Sequence, residues 1–272
     1  CADCHSVGGI APWAMTDHQT VRGWAPMMRE VIRTDRMPPW NADPHVGKWK
    51  DDKSLTNDEI KTLIHWIEAG APRGDSESDP LVEANLQIPE WPLGEPDLIL
   101  TLPAYDVPAS GIIDYTYPVV ENPLTEDKWI RATTVKAGAR EVVHHVLSGY
   151  MSEVPEDGQG STGRWEFSTG GYAVGAESTI AEDDIGTPMP AGGAIGFQMH
   201  YTPAGKPMTD VTQIGFYFHD EVPKYVSRSS VILDASIEIP PNTARHVETA
   251  YLEMPHDAIL EPPERIAHVA RV

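Results

Sequence analysis

Beyond residue 96, short β-prone runs separated by proline and glycine constrain the fold more than any other feature of the chain. The chain contains 25 prolines and 22 glycines, and many of them fall between these runs. Runs of this length bounded by turn residues are typical of strands in a sandwich or jelly roll. The strands expected are 97–102, 112–120, 129–135, 141–149, 194–201, 212–218, 229–233 and 236–239.

The first 75 residues have a different pattern. Thr56 followed by Glu59 three residues later predicts the capping box of a helix. Apolar residues from Ile60 to Ile67 recur at helical spacing and form one stripe, and Gly70 stands where a helix-ending glycine is expected. The pattern therefore predicts an amphipathic helix at the end of this segment.

The charge of the chain excludes several classes of protein. The net charge is −21 and the sequence pI is ≈ 4.7, whereas nucleic acids and anionic membrane surfaces attract clusters of Lys and Arg. No stretch of about 18 apolar residues is present, so we expect no transmembrane helix. A segment rich in Pro, Gly, Asp, Glu and Ser at 72–96 is typical of a polar linker between two units.

The sequence begins with a cysteine motif. Cys1-Ala2-Asp3-Cys4-His5 has the spacing of covalent c-type haem attachment, in which two thiols reach the porphyrin vinyl groups and the adjacent imidazole lies under the iron. A zinc site or a redox-active dithiol is the alternative. Zinc favours a second Cys or His pair at similar spacing, and the chain has only 2 cysteines. We therefore expect haem c bound by Cys1, Cys4 and His5.

Met37 is the candidate for the sixth ligand of the iron. It lies in the run Arg-Met-Pro-Pro-Trp at 36–40, where two prolines restrict the backbone and prevent a helix. A Met/His pair is a common axial set of cytochromes c. Met27 and Met28 lie in a helical apolar run and are expected to pack. The competing residues are Met15, Met27, Met28, His18 and His45.

The order of these features resembles that of class I cytochrome c domains: a Cys-x-x-Cys-His motif, then Met-Pro, then an amphipathic helix. The resemblance covers residues 1–74 and implies a small all-α haem domain, followed by a linker at 75–92. The segment between the haem motif and Met37 is short for this family, which implies a compact haem loop. Because c-type haem is attached outside the cytoplasm, the resemblance also implies a periplasmic or secreted bacterial protein.

Three histidines in the β-rich part are of the residue type that binds metals. His144 and His145 are adjacent in one β-prone run, and His200 lies in another. Neighbouring strand residues point to opposite faces, so His144 and His145 can bind one metal only where the strand twists, bulges or ends. Imidazole ligands without thiolate favour copper or zinc, with Cu(II) the stronger binder. From spacing alone, the alternative is that these are surface or packing histidines.

The second part of the chain resembles the copper type II ascorbate-dependent monooxygenases, the family of peptidylglycine α-hydroxylating and dopamine β-monooxygenase. The matching segments are 143–145, 198–201, 205–206, 210 and 214–215. The segments 94–97 and 105–111 resemble bacterial fusions of a cytochrome c to this fold. The resemblance implies that His144, His145 and His200 bind the copper that delivers electrons. It also implies an all-β jelly-roll or sandwich domain at 93–222, with O₂ and a small molecule as substrates.

The resemblance weakens after residue 222. The family binds a second, oxygen-activating copper in a second β domain, through a His-x-His pair and a later Met. Residues 223–272 are therefore expected to be the start of such a domain, and two explanations stay open: either the chain is a fragment or the oxygen-activating site is lost. His246 and His256 lack the His-x-His spacing, and His268 stands alone where a paired histidine motif is expected.

Together these features predict a multidomain haem c–copper oxidoreductase, monooxygenase-like, in which the haem passes electrons to a three-His copper site for O₂-dependent hydroxylation. Its electron donor is expected to be a protein or a small reductant. Two alternatives stay open. One is an electron-transfer or copper-binding protein without catalysis, and the other is a cytochrome joined to a sandwich that only binds a partner or polysaccharide. The chain has no Gly-x-Ser-x-Gly elbow and no Walker glycine loop.

Overall fold

The computed structural model describes residues 1–253 except 3, 10, 41, 43–48, 50–51, 75–76, 85–88, 229–233, 245 and 252. The chain divides into two units, Cys1–Trp40 with Gly47–Arg228, and Asn41–Val46 with Ser229–Val272. The helices, the sheets and the candidate site all belong to the first unit.

Three helices precede the first strand: α1 (His18–Arg33), α2 (Asn57–Glu68) and α3 (Pro80–Ala84). The strands described are β1 (Leu98–Thr101), β2 (Tyr105–Val107), β3 (Val119–Glu121), β4 (Lys128–Lys136), β5 (Val143–Met151), β6 (Phe167–Ala173), β7 (Ser178–Ile180), β8 (Ile185–Met189), β9 (Ala194–Tyr201), β10 (Met208–Asp210), β11 (Gln213–Phe218) and β12 (Tyr225–Val226). None of the helices in the described part of the chain is long and apolar enough to cross a membrane.

The strands form a sandwich of two main sheets that are predominantly antiparallel. One sheet has the order β1-β11-β4-β8-β12, with β7 also paired to β4, and the other has the order β3-β9-β5-β6. Strands β10 and β2 form a separate pair. Buried side chains of both sheets belong to one hydrophobic core, among them Val146 and Phe197 of the second sheet and Ile214 and Phe216 of the first. Burial of this apolar surface is the main stabilising contribution to the sandwich.

Alternation along β9 fixes which side chains face the core. Ile195, Phe197 and Met199 are all 0% exposed, whereas Gln198 and His200 between and after them are only partly buried. Because successive side chains of a strand point to opposite faces, His200 lies on the outer face of the four-stranded sheet.

Part of that outer face is covered by an indole ring. Gly149 of β5 and Gly196 of β9 are paired in register. A Cβ at Gly149 would lie 2.3 Å from the ring of Trp165, and a Cβ at Gly196 would lie 2.6 Å from its Nε1. The two glycines therefore leave the space that Trp165 occupies.

The prediction of a small all-α cytochrome c domain is wrong. The described residues among 1–17 form turns and bends without a helix, and the two longer helices span only 16 and 12 residues. The buried cluster between these helices consists of Ala25, Ile67 and Ala71, with Met28 and Trp66 packed against it. The helices described here are few and short, and the protein is instead mostly a β sandwich.

The helix predicted from the capping box is confirmed as α2. The Thr56 hydroxyl accepts a hydrogen bond from the backbone N–H of Glu59, and the Glu59 carboxylate accepts one from the backbone N–H of Thr56. Gly70 follows the helix with a φ of +88°, a conformation that favours glycine at this position. Local sequence therefore determines this helix, although it does not produce a helical domain.

The strand predictions have mixed outcomes. The run 194–201 coincides with β9, whereas only the end of 112–120 is strand, as β3. The run 236–239 is not a strand, and 229–233 lies outside the described residues. The sequence patterns also missed the three strands β6, β7 and β8 within 167–189, because these segments combine few apolar residues with glycine, serine and threonine.

Candidate metal centre

The three predicted ligands meet at a β-bulge. In the pairing of β5 with β9, Val143 lies opposite Tyr201, and the next partners are His145 and His200. His144 is the extra residue between the two pairs, and such an extra residue defines a β-bulge. We expected that the adjacent histidines could share a metal only if the strand twisted, bulged or ended there, and the bulge at His144 confirms this condition.

Two buried valines explain why the strand bulges here. Val143 and Val146 are both 0% exposed and both belong to the sandwich core. They are three residues apart, so strict alternation would direct one of them to the outer face. The extra residue His144 lets both valines face the core, while His145 faces outward beside His200.

The ring nitrogens of the three histidines converge. The Nδ1 of His145 lies 3.3 Å from the Nδ1 of His144 and 3.3 Å from the Nδ1 of His200. One ligand atom from each residue lies within 4.8 Å of the others. Metal–imidazole bonds of about 2.0–2.1 Å place two nitrogens of a tetrahedral centre about 3.3–3.4 Å apart. The three histidines can therefore hold a metal ion.

The site is open to solvent on one side. His144 is exposed, and His145 is 9% exposed. Three imidazoles leave a tetrahedral metal with one further position, which is the arrangement of metal sites that bind water or substrate. The exposed side at His144 is where such a ligand can enter.

Tyr115 completes the surroundings of the site, and sequence reasoning missed it. Thr116 forms an antiparallel bridge with Met199, so Tyr115 lies opposite His200. The Tyr115 ring meets that of His200 edge-on at 4.9 Å between centroids and lies 5.6 Å from the ring of His145. The only sequence signal was its place in the β-prone run 112–120, which carried no information on the neighbouring strand.

A buried carboxylate connects the segments that carry the ligands. Asp210 is 1% exposed. It accepts hydrogen bonds from the backbone N–H of Ala139 at 2.8 Å, from the Tyr201 hydroxyl at 3.0 Å and from the Thr212 hydroxyl at 2.8 Å. Burial raises the pKa of Tyr201 far above its usual value, and the adjacent Asp210 carboxylate raises it further. Ala139 lies five residues before the first site histidine and Tyr201 follows the third, so Asp210 holds both segments together.

The cysteine motif at the start of the chain forms a compact turn. The backbone N–H groups of Cys4 and His5 donate to the carbonyl of Cys1 at 3.2 and 2.9 Å. The two cysteines are not joined in a disulfide, and Cys1 is exposed. The His5 Nδ1 lies 3.0 Å from the carbonyl oxygen of Trp13, which makes this nitrogen the donor. Burial lowers the pKa of His5, and the Trp13 carbonyl opposes that effect.

The predicted sixth ligand lies on a separate segment. Met37 follows the C-terminus of α1 and is 38% exposed, and its role as a ligand stays a prediction. Among the competing residues, Met28 packs between the helices as expected, whereas Met27 is 51% exposed. The Nε2 of His18 donates a hydrogen bond to the backbone carbonyl oxygen of Ala71 at 2.9 Å. His45 lies outside the described residues.

The histidines considered for a second copper are not grouped in the part of the chain that the structure describes. The Nε2 of His246 lies 2.5 Å from the Glu248 carboxylate. His256 and His268 lie outside the described residues. The group of 144, 145 and 200 is the one set of three metal-binding side chains found among the residues described.

The N-terminal segment and the sandwich meet in the first unit. Val7 and Gly8, which follow the cysteine motif, line a cavity together with Arg140 and Glu177. Arg140 lies three residues before β5, so this contact is at the same end of β5 as the bulge. The segment that follows the cysteine motif therefore lies near the end of β5 that carries His144 and His145.

Comparison of the chain with models of known protein families, and with curated proteins, finds no match. The assignment of function therefore depends on the side chains described above.

Proposed function

We propose that this protein is a haem c–copper oxidoreductase of the monooxygenase type, with haem attached at Cys1, Cys4 and His5 and copper bound at His144, His145 and His200. The observation that carries the proposal is the convergence of the three Nδ1 atoms at 3.3 Å separations.

The donor set fits copper. Three imidazoles without a thiolate or a carboxylate favour Cu(II) or zinc, and Cu(II) is the stronger binder of the two. Bound copper supplies a one-electron redox centre with an open coordination position. His145 and His200 hold two sides of the site from paired strand positions, and the bulge residue His144 supplies the third nitrogen from the exposed side. Paired strands keep the ligand positions fixed, which favours rapid change of oxidation state.

The residues of the N-terminal segment fit a covalently bound haem. Because the His5 Nδ1 donates to the Trp13 carbonyl, its Nε2 is left to bind iron, and this hydrogen bond fixes the orientation of the ring. Trp13 contacts the His5 ring at 4.7 Å and stacks on Trp24, which is 38% exposed. Such an exposed apolar surface beside a ligand histidine suits a flat apolar macrocycle. Haem supplies a second one-electron centre.

The position of the two candidate sites supports electron transfer within the chain. Both lie in the first unit, and the segment that follows the cysteine motif contacts the sandwich next to Arg140, just before β5. A fixed separation replaces encounter by diffusion and gives a high effective concentration. We expect the electron donor to be a small reductant or a protein outside the chain, and the protein to be exported, since c-type haem is attached outside the cytoplasm.

The first experiment is a metal and haem inventory of the purified protein. We expect one covalent haem and one copper per chain by elemental analysis and visible spectroscopy. His145→Ala and His200→Ala should each abolish copper binding and leave the haem spectrum unchanged. His65→Ala, on the exposed face of α2, is the matched control and should keep both. A colourless protein, or copper retained in both variants, would contradict the proposal.

The second experiment follows the electron. Protein lacking copper is reduced with dithionite, separated from the excess reductant and mixed with Cu(II) in a stopped-flow spectrometer, and haem oxidation is recorded. We expect oxidation that is independent of protein concentration in the wild type and absent in His200→Ala. Haem oxidation at the same rate in both would show that the site is not the acceptor.

A second candidate function is an electron-transfer or copper-binding protein without catalysis. It is favoured by the single group of three metal ligands among the described residues, because O₂ activation in the resembled family uses a second copper. Incubation of the copper-loaded protein with O₂, a reductant and candidate small molecules distinguishes the two. A hydroxylated product that disappears in His145→Ala supports the monooxygenase, and reductant consumption without product supports the carrier.

A further inference from the structure

The outer face of the four-stranded sheet continues from the metal site toward Trp165 through one further row of residues. In this row, Leu147 of β5 pairs with Gln198 of β9 on one side and with Gly171 of β6 on the other. We call these three residues the floor row. Leu147 lies two residues after His145, and a strand rises about 3.3–3.4 Å per residue, so the floor row lies about 7 Å from the row of metal ligands.

The side chains of the floor row face outward. The preceding residues Val146 and Phe197 are both 0% exposed and belong to the sandwich core, so alternation directs Leu147 and Gln198 to the other face of the sheet. A Cβ at Gly171 would lie 3.4 Å from the Cδ2 of Leu147. The leucine side chain therefore lies beside the space that the glycine leaves open on this face, and Leu147 and Gln198 are both only partly buried.

Aromatic residues lie at two borders of the floor row. Trp165 lies at the end away from the metal ligands, because its indole occupies the space above Gly149, two residues further along β5. Tyr117 lies at the side, because its neighbour Thr116 forms an antiparallel bridge with Met199. Four residues of strand separate the metal ligands from the row under the indole, a distance of about 13 Å. This length accommodates a molecule with one six-membered ring and a short substituent.

The strands that carry the metal ligands and the floor row are uncharged. β5, β6 and β9 contain no Asp, Glu, Lys or Arg, although 22% of the residues of the chain are charged. In the other sheet, β4 alone carries Lys128, Arg131 and Lys136. A charged ligand on the floor row would lose hydration without gaining a partner of opposite charge from these strands. A neutral apolar molecule would instead gain by covering Leu147.

We propose that the floor row binds the substrate, and that this substrate is a small neutral molecule with an apolar body about the size of one six-membered ring. Leu147 lies beneath the apolar body, and Trp165 contacts its end away from the metal. This assignment rests on the proposed function, because hydroxylation requires the reacting C–H bond to lie beside the metal. The floor row is the surface that adjoins the metal ligands along β5 and β9, and it has the apolar and aromatic lining typical of small-molecule sites.

Binding is measured first without copper, with para-fluorobenzyl alcohol as the probe and its fluorine NMR line width as the readout. We expect saturable binding to the wild type and about tenfold weaker binding to Leu147→Asn, which replaces apolar surface by polar surface of similar size. Leu147→Met keeps the apolar surface and should retain binding. Ile180→Ala, which changes an exposed aliphatic residue in β7 of the other sheet, is the matched control. The anionic analogue para-fluorobenzoate should bind at least about tenfold more weakly than the alcohol.

Copper then reports whether the bound probe lies beside the metal ligands. Cu(II) is paramagnetic and broadens the resonances of nearby nuclei, whereas Zn(II) is diamagnetic and does not. We expect a broader fluorine resonance in the copper-loaded protein than in the zinc-loaded protein, and no difference between the two metals in His200→Ala.

Three results would overturn the proposal. The first is a lack of saturable binding to the wild type, or equal binding to Leu147→Asn. The second is binding without copper-dependent broadening in protein that holds copper. The third is sedimentation of the wild type as a dimer that Leu147→Asn dissociates, which would assign this face to a second copy of the chain. A protein that binds no copper would contradict the proposed function, while the measurement without copper would still decide whether the floor row binds a neutral molecule.

Discussion

Replacing Asp210 with alanine should destabilise the protein and weaken metal binding together. The carboxylate is 1% exposed and accepts three hydrogen bonds, from Ala139, Tyr201 and Thr212. Each buried donor left without an acceptor costs about 1–3 kcal/mol. Three buried donors lose their acceptor, so we expect a loss of about 3–5 kcal/mol of unfolding free energy.

The metal site should respond because both ligand-bearing segments lose a common anchor. Ala139 also accepts backbone hydrogen bonds from Val142 and Val143 at 3.0 and 3.2 Å, in the turn that leads into the bulge. If this turn loses its hydrogen bond to Asp210, its backbone can move and shift His144 and His145 relative to His200. Urea unfolding gives the stability, and competitive titration with a copper chelator gives the affinity. We expect affinity to fall about tenfold or more, which corresponds to about 1.4 kcal/mol.

The conservative variant separates structural loss from positioning. Asp210→Asn keeps one carbonyl oxygen for Ala139, and its amide group can donate to the two hydroxyls, so it should recover most of the stability and of the copper affinity. Asp157→Ala is the control, because the Asp157 carboxylate is exposed and is hydrogen-bonded to Arg164. It should change neither the stability nor the copper affinity. Copper affinity unchanged in Asp210→Ala, or a loss of less than about 1 kcal/mol, would refute the reasoning.

Three further outcomes are expected. Tyr115→Ala should weaken copper binding about two- to tenfold, since an aromatic contact contributes about 0.5–1.5 kcal/mol, whereas Tyr115→Phe should not; equal titration curves would contradict a positioning role. Burial raises the pKa of Tyr172 in the folded protein to about 12, whereas the unfolded phenol loses its proton near pH 10. The free energy of unfolding should therefore be unaffected by Tyr172 below pH 10 and should fall as the pH rises from about 10 to 12. Tyr172→Phe should flatten this alkaline decline in urea midpoints, and an unchanged slope would disprove the linkage. Gly196→Ala should destabilise by about 1–3 kcal/mol, because the added Cβ would collide with Trp165 and with the backbone of Gly160. Gly163→Ala, which meets nothing within 4 Å, is the control, and equal urea midpoints for the two variants would contradict the collision.

The fold was predictable where a pattern is local. The capping box at Thr56 and Glu59 is satisfied within four residues of chain, and it formed as expected. The error came from extending two helices to an all-α domain. The helices bury few side chains against each other. Which elements pack together depends on residues far apart in the sequence, and a local pattern does not contain that information.

The metal site was predictable in part for the same reason. Residue type identified the three histidines, and alternation along a strand gave the condition under which two adjacent ones can share a metal. Whether that condition holds depends on the pairing of β5 with β9. Tyr115 was not predictable because it reaches the site from a third segment, through the bridge beside β9.

The sequence alone determined the chemistry that is available: two thiols and an imidazole at the start of the chain, three imidazoles in β-prone runs, and a helix fixed by its own cap. Tertiary structure decided the register of two strands and hence whether those imidazoles point toward one another. It also decided that the N-terminal segment lies against the sandwich beside Arg140. The physical reason is that the residue type at each position is given by the sequence, whereas its neighbours in space depend on how the core packs. Residues far apart in the sequence contribute to that core together.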